Sequence, residues 1–411
     1  KTSSVMGASS LDLALIAADG PCSAAGVFTT NRVKAAPVLL DQQALEQSAG
    51  EIRAVIANAG NANAVTGPQG MEDARTMAAL VAETLGCRPD QVLVLSTGVI
   101  GRPLDMNKIR SGIAEIASPT AHQGAPFVAQ AIMTTDTRPK VASRAIEIGG
   151  GTVTISGCCK GAGMIHPNMA TLLAIVTTDA IVAPDVLRTA LQRAVAQSFN
   201  RISVDGDTST NDTLLLLASG ASGVEISTAP GDSGAEPDTF APFSLSASYE
   251  TFVAALTEVC IELAKQVARD GEGATRLVEI RVTGAASEGQ AHQVANSIAR
   301  SPLVKTAVHG GDPNWGRVLC AAGYSGAAID PDRISLSFGP ADRPGDKYDS
   351  PAVQVLADGL PTQYDERAAR AALVADPALI TLDLGLGDAA STVWTCDLTA
   401  EYVSINAHYT T

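Results

Sequence analysis

The chain has 411 residues and a formal charge of −15 at pH 7, from 28 basic and 43 acidic residues. The basic residues are scattered, whereas binding a nucleic-acid backbone needs clustered Lys and Arg, so no nucleic-acid partner is expected. Hydrophobic residues make up 46 % and charged residues 17 % of the chain. That composition is typical of a core-rich globular protein, and the length predicts two or three domains.

Signals for membranes and secretion are weak. No stretch approaches the roughly 18 consecutive apolar residues of a membrane span, and no signal peptide follows Lys1. Seven cysteines are an odd and sparse number for this length, which favours a reduced, cytoplasmic protein.

The hydrophobic pattern predicts alternating strands and helices in chain order. Predicted strands cover 10–17, 24–28, 51–58, 91–95, 144–148, 152–155 and 171–176. Predicted helices cover 71–85, 186–199 and 252–267. Three glycines at 149–151 indicate a hairpin turn. Residues 222–242 are rich in Gly, Ser, Pro and acidic residues and predict an exposed insertion. Beyond about residue 277, strands and a helix (278–282, 290–299, 333–338 and 380–384) predict a second, smaller α/β unit.

Several common sites are missing from the sequence. It contains no Walker A sequence, no GxGxxG that opens a helix, no HExxH, no paired CxxC and no GxSxG. Cys158 and Cys159 are interpreted as small strand residues. Asp205 and Asp207 could hold a hard cation, but acidic residues in such turns more often cap their own backbone. No metal site is therefore predicted.

The densest segment for chemistry is KGAGMIHPNMATLLAI, which runs from Lys160 to Ile175 and contains Thr171. A Thr hydroxyl needs a neighbouring base to become a nucleophile. The α-amine of the same residue can be that base, with an ordinary pKa of about 8. That amine exists only if the chain is cut between Ala170 and Thr171. A small residue before the cut and nearby glycines leave room for an N-to-O acyl shift. Taken alone the pattern is weak, because Thr commonly precedes an apolar strand.

A set of further motifs resembles the ornithine acetyltransferase family of arginine biosynthesis, in the family order and over nearly the whole chain. With the segment 160–178, these motifs are 26–34, 58–63, 96–101, 133–139, 204–212, 270–274, 304–317 and 404–411. The resemblance implies a four-layer α/β/β/α sandwich like that of N-terminal-nucleophile enzymes over 1–276, a smaller α/β domain over 277–400, and a tail over 401–411 that returns to the active site.

The resemblance also implies the reaction. The precursor cuts itself into fragments 1–170 and 171–411, which associate as an α2β2 heterotetramer or a larger assembly. Thr171 takes the acetyl group from N-acetylornithine as an ester and passes it to glutamate with ping-pong kinetics. No cofactor is implied, and acetyl-CoA is a second acetyl donor that some members use. The Thr97 hydroxyl and the Gly98 backbone N–H stabilise the oxyanion.

Further residues of this sequence match the family's substrate contacts. These are Thr134 or Thr135, Lys160, Thr171, Glu272, Asn406 and Thr411. The Lys160 ammonium could pair with a substrate carboxylate or tune the Thr171 amine, and the Glu272 carboxylate suits the ornithine ammonium. Two alternatives are a self-cleaving amidohydrolase or aminopeptidase, in which water deacylates Thr171, and an uncleaved, non-catalytic acidic interaction protein.

Overall fold

The structure is a computed structural model that describes residues 11–117, 124–166, 172–228, 246–341 and 352–408. Three of the predicted site residues, Ala170, Thr171 and Thr411, lie outside the described residues, as do residues 229–242 of the predicted insertion.

The strands of the described chain, in order, are β1 (Leu13–Phe28), β2 (Glu51–Asn61), β3 (Val92–Val99), β4 (Lys140–Ile148), β5 (Gly151–Lys160), β6 (Leu173–Thr178), β7 (Ile181–Val182), β8 (Ile202–Ser203), β9 (Thr213–Ala218), β10 (Glu225–Ile226), β11 (Leu277–Ala285), β12 (Ser335–Pro340), β13 (Val353–Ala357), β14 (Leu360–Pro361), β15 (Ala378–Asp383) and β16 (Ala389–Cys396).

The α-helices are α1 (Ala36–Gln47), α2 (Gly67–Leu85), α3 (Met106–Ile116), α4 (Ala125–Ala131), α5 (Pro184–Gln197), α6 (Ala247–Arg269), α7 (Glu288–Arg300), α8 (Pro302–Gly310), α9 (Trp315–Gly323), α10 (Glu366–Leu373) and α11 (Ala400–His408).

The first large sheet has seven strands in the order β3-β2-β1-β9-β6-β5-β4. Strand β1 connects the two sides of this sheet, because its first half pairs with β2 and its second half pairs with β9. Its pairing with β2 shifts in register between Ala17 and Cys22. The sheet therefore has two parts, one built on β2 and β3 and the other on β9, β6, β5 and β4.

The two parts bury one face together and cover the other face with separate helices. Side chains such as Leu95 on β3 and Leu173 on β6 belong to one shared cluster. The opposite face of β2 and β3 packs against α2 and α3, with Met77 and Ile113 fully buried. The opposite face of the other part packs against α5 and α6. The layers are helix, strand, strand, helix, so the predicted α/β/β/α arrangement is confirmed.

The second large sheet has the order β14-β13-β12-β15-β11-β16-β8. Helices α7, α8, α9 and α10 bury their apolar residues against one face of it. Leu277, Trp394 and Cys396 lie on the other face and pack into the cluster that contains α6. Strand β8 comes from residues before 277 and pairs with β16. Both units of the fold therefore share a strand pairing and an apolar contact.

Helices α2, α5 and α6 and the β4–β5 hairpin confirm the predicted periodicities, with positive φ at Gly149 and Gly150 in the hairpin turn. The two strands predicted at 10–17 and 24–28 are one strand, β1, which continues through residues 18–23, so the predicted division was wrong. The exposed insertion predicted at 222–242 was partly wrong, because Ile226 on β10 is buried and β10 pairs with β7.

Cys158 and Cys159 are both buried on β5, one in the shared cluster and one in the α5–α6 cluster. This placement supports their interpretation as small packing residues. None of the helices in the described part of the chain combines the length and apolar character that a membrane crossing requires.

Candidate active site

The carboxyl end of β3 supplies a threonine and a glycine to a cavity. Thr97 is buried and Gly98 follows it with φ +131°. A Cβ on Gly98 would overlap the backbone of Gly60 and Asn61 on the paired strand β2. Only glycine fits this close approach of the two strands. Within the described residues, no partner takes up the Thr97 hydroxyl.

A buried asparagine fixes this strand end from the opposite loop. The Asn211 side-chain Nδ2 donates to the carbonyls of Ala62 at 2.6 Å and Ser96 at 2.8 Å. The Thr210 hydroxyl donates to the Asn211 Oδ1 at 2.6 Å. Because a buried amide with its hydrogen bonds made resists displacement, Asn211 locks the residue that precedes Thr97. Asn211 lies in the sequence motif at 204–212, but no role was predicted for it.

The segment after β5 makes a tight turn that is held by three carboxyl-bearing residues. Asp136 Oδ1 accepts from the Gly161 N–H at 2.7 Å. The Glu272 N–H donates to the Ala162 carbonyl at 3.1 Å. Asp205 accepts from the N–H groups of Met164 at 2.6 Å and of the next residue at 2.8 Å. Ala162 has φ +97° and Met164 has φ +59°, so these contacts hold two non-glycine residues in a costly backbone region.

The contacts of Asp205 match the second of its two alternatives, the capping of backbone N–H groups. Its carboxylate caps backbone N–H groups, including that of Asp207 at 3.2 Å. Burial raises the pKa of Asp205, and the hydrogen bonds from these backbone groups oppose that rise. No group of three or more potential metal-ligating side chains occurs in the described ranges.

Lys160 ends β5 and is only 4 % exposed. Its ammonium has no hydrogen-bond or ion-pair partner among the described side chains. Burial lowers the pKa of Lys160, and the carboxylates of Asp136, Asp212 and Glu272 act in the opposite direction. A buried ammonium without a direct partner is costly unless an anion joins it. Lys160 is therefore suited to bind a carboxylate.

The Glu272 carboxylate lies on the same cavity and is joined to the C-terminal helix. Asn406 on α11 donates its Nδ2 to Glu272 Oε2 at 2.8 Å. The Thr399 hydroxyl, just before that helix, donates to the Gly273 carbonyl at 2.8 Å. These bonds bring Asn406 of the C-terminal tail to the cavity.

One cavity brings together seven of the residues that the sequence analysis named. These are Thr97, Gly98, Thr134, Thr135, Lys160, Glu272 and Asn406. Both threonines at 134 and 135 line it, so the structure does not choose between them. Other lining residues were not predicted, namely Ala62, Ile100, Gly163, Met164, Ser209, Thr210 and Asn211. Each of these residues lies inside one of the sequence motifs that carry the family resemblance.

The described chain resumes immediately after the predicted nucleophile. Asp212 Oδ1 accepts from the Leu172 N–H at 2.9 Å, and the Leu172 carbonyl accepts from the Thr213 N–H at 3.0 Å. The start of β6 is thus fixed by a carboxylate on one side and a strand pairing on the other. Asp212 was quoted in a motif but received no role in the sequence analysis.

His166 is the histidine nearest to Thr171 in the sequence, but it does not line the cavity. Its Nδ1 contacts the Ser203 hydroxyl at 3.3 Å. Burial, helped by Arg300 and His292, lowers the pKa of His166 to about 4. The ring is neutral at pH 7 and serves to anchor the turn.

Gly163→Ala tests the position of the Glu272 carboxylate. A Cβ at 163 would overlap that carboxylate, which is the flexible end of its side chain. The fold should therefore persist while the carboxylate moves, and we expect KM for an ammonium-bearing substrate to rise about tenfold for a weakened charge-assisted contact. Gly310→Ala is the matched control because nothing lies near its Cβ. Equal KM values in the two variants would contradict a substrate contact by Glu272.

The sequence profile of the ArgJ family matches residues 2–411. The chain belongs to the ArgJ family. The resemblance inferred from the motifs is therefore confirmed. The arginine biosynthesis bifunctional protein ArgJ of Symbiobacterium thermophilum is 50 % identical over 405 residues, covering 98 % of this chain and 94 % of that protein. The mitochondrial arginine biosynthesis bifunctional protein ArgJ of Heterostelium pallidum is 45 % identical, covering 97 % of this chain and 90 % of that one.

Solved structures also resemble this ArgJ-family chain. A crystal structure of arginine biosynthesis bifunctional protein argJ from Bacillus halodurans is 42 % identical. The match covers 57 % of this chain and 98 % of that one, with a TM-score of 0.47.

Proposed function

We propose that this chain is a glutamate N-acetyltransferase of arginine biosynthesis, which moves the acetyl group of N2-acetylornithine to glutamate. The observation that carries the proposal is one cavity lined by a buried ammonium that no described side chain pairs with, a buried carboxylate, and the Thr97–Gly98 strand end. An amino acid that bears a carboxylate and a second, positively charged group fits such a pair. Family membership supports a role in arginine biosynthesis, since the relatives are named for that pathway.

The substrates share a carboxylate, which Lys160 binds in this proposal. The ornithine moiety carries an ammonium that Glu272 accepts. Asn406 holds Glu272 Oε2 in place, so the tail helix completes the binding site. Ping-pong transfer needs only one such site, because ornithine leaves before glutamate enters.

Acylation begins when the α-amine of Thr171 takes the proton of its own hydroxyl. The oxygen attacks the acetyl carbon, and the Thr97 hydroxyl and Gly98 N–H donate to the oxyanion. The tetrahedral intermediate then breaks its C–N bond, the leaving nitrogen receives the proton, and ornithine departs. The amine of glutamate attacks the ester in the second half, loses a proton, and restores the Thr171 hydroxyl as acetylglutamate leaves. Acetyl-CoA can supply the same acetyl group in place of N-acetylornithine.

The proposal includes a cut at the Ala170–Thr171 bond, and the strand pairings on either side of it support association of the two fragments. Strand β5 lies before the bond and β6 after it, and β6 pairs over its whole length with the second half of β5. Strand β1 pairs with β9 in the same way. The fragments 1–170 and 171–411 therefore stay associated through continuous ladders, and we propose an α2β2 assembly built from such pairs.

The decisive assay follows ornithine release from N-acetylornithine with and without glutamate, and with acetyl-CoA as an alternative donor. We expect release to depend on glutamate and acetylglutamate to form in equal amount. Release that ignores glutamate, with acetate as product, would instead identify a hydrolase. No turnover and a single uncut chain would support the non-catalytic alternative.

A further inference from the structure

A buried cluster of two carboxylates and one lysine lies at the junction of three cavity-lining segments. Lys140 donates to Asp136 Oδ1 at 2.6 Å and to Asp270 Oδ2 at 2.5 Å. The side chains of Lys140 and Asp136 are fully inaccessible to solvent, and that of Asp270 is 5 % exposed. We call these three residues the acid–lysine cluster.

Each carboxylate also holds backbone of a segment that contributes to the cavity. Asp136 Oδ2 accepts from the Thr134 N–H at 3.1 Å, and its Oδ1 accepts from the N–H of Gly161, next to Lys160. Asp270 Oδ2 accepts from the Thr137 N–H at 3.0 Å. Glu272 follows Asp270 by two residues. The cluster therefore ties together the segments that bear Thr134, Lys160 and Glu272.

The charges of the cluster are unequal. Two carboxylates and one ammonium leave one net negative charge inside the protein. Lys160 adds one positive charge nearby with no direct partner among the described side chains. Asp212 and Glu272 add carboxylates that act on Lys160, and the Arg138 guanidinium lies 3.9 Å from Asp270 Oδ1. The Lys160 ammonium thus has opposite charge around it, as a buried charge requires.

The pKa shifts of Asp136 and Lys160 reflect these charges. Burial raises the pKa of Asp136, but Lys160, Lys140 and the Gly161 N–H outweigh burial and hold it below its usual range. The charged groups that act on Lys160 are Asp136, Lys140, Asp212 and Glu272. Among them Asp136 is the strongest in stabilising the ammonium.

We propose that the acid–lysine cluster is a positioning device for substrate binding, which fixes Lys160, Thr134 and Glu272 relative to one another and supplies, through Asp136, the counter-charge of the Lys160 ammonium. Its residues do not touch substrate. This inference rests on the proposed function, because it assigns Lys160 to the substrate carboxylate.

Three substitutions distinguish a counter-charge for Lys160 from purely structural support of the cavity. Asp136→Asn removes the charge that faces both lysines. Asp270→Asn removes the same charge from the same cluster, but on the side that contacts Lys140 and Thr137. Lys140→Gln removes the positive charge that opposes protonation of Lys160 and keeps an amide that can bond both carboxylates.

The readout is the alkaline limb of kcat/KM against pH for N-acetylornithine, whose α-nitrogen does not titrate. Loss of a nearby opposite charge changes a pKa by about 1–3 units. In Asp136→Asn we expect the limb to move to a pH lower by at least about one unit, with KM raised most at high pH. In Asp270→Asn we expect a raised KM with the limb in place. In Lys140→Gln we expect the limb to move to higher pH.

The opposite signs exclude a general loosening, which would change all three profiles alike. A wild-type limb in Asp136→Asn, or the same displacement in all three variants, would overturn the inference. If Asp136→Asn does not fold, as judged by circular dichroism, the sign in Lys140→Gln decides. Absence of acetyl transfer in the wild-type enzyme would instead refute the proposed function, so the two failures are distinct.

Discussion

Thr171→Ala should yield one uncut polypeptide of 41.9 kDa and no acetyl transfer. The wild-type chain should give fragments of 170 and 241 residues, about 17 and 25 kDa by their share of the chain. The physical reason is that one hydroxyl both attacks the preceding carbonyl during cleavage and carries the acetyl group afterwards. Intact mass of the denatured protein and the ornithine-release assay measure the two effects.

Thr171→Ser is the control for that experiment. It keeps a hydroxyl and, after cleavage, an α-amine, so cleavage and transfer should both persist at reduced rates. A fully cut Thr171→Ala protein would remove Thr171 from the cleavage chemistry. An uncut wild-type protein that transfers acetyl groups would remove the N-terminal amine from catalysis.

Thr97→Ala should lower kcat by about 10²–10³-fold, the usual cost of one oxyanion donor, and leave KM nearly unchanged. Thr97 lies at the cavity, its hydroxyl is not used by another described residue, and Gly98 beside it brings a backbone N–H to the same strand end. A donor that acts only on the oxyanion contributes to the transition state and not to substrate binding.

Steady-state kinetics on cleaved enzyme would check this second prediction, since Thr97 could also affect maturation. Thr97→Ser should retain most of the rate because it keeps the donor. A large rise in KM at unchanged kcat would assign Thr97 to ground-state binding.

Local sequence patterns were sufficient for some elements and misleading for others. Helix α2 and the β4–β5 hairpin were predictable because apolar spacing and glycine turns act over a few residues. Strand β1 was not, because Gly20-Pro21 resembles a turn, while the structure carries the strand through with a shift in pairing to β2. Whether a strand ends or continues at such a point depends on its pairing with neighbouring strands. The local sequence does not show that pairing.

The residues of the candidate site could be predicted only in part from the sequence, for the same reason. Lys160 and Glu272 are 112 positions apart, and no periodicity indicates that they share a cavity; the family resemblance named both. Asp136, Lys140 and Asp270 lie in or beside quoted motifs, yet their mutual contacts at 2.6 and 2.5 Å depend on the packing of α6 against the hairpin. Burial of charge is a tertiary property, so a residue's charge alone did not distinguish these side chains from surface ones.

The pairing of β5 with β6 and of β1 with β9 has a thermodynamic consequence if the chain is cut at residue 170. Unfolding of the mature protein then releases two separate polypeptides, and refolding becomes a bimolecular reaction. The melting temperature should rise with protein concentration, whereas that of an uncut Thr171→Ala precursor with the same sheet should not. Self-cleavage would thus convert a fold that one chain can regain into an assembly that dilution disfavours.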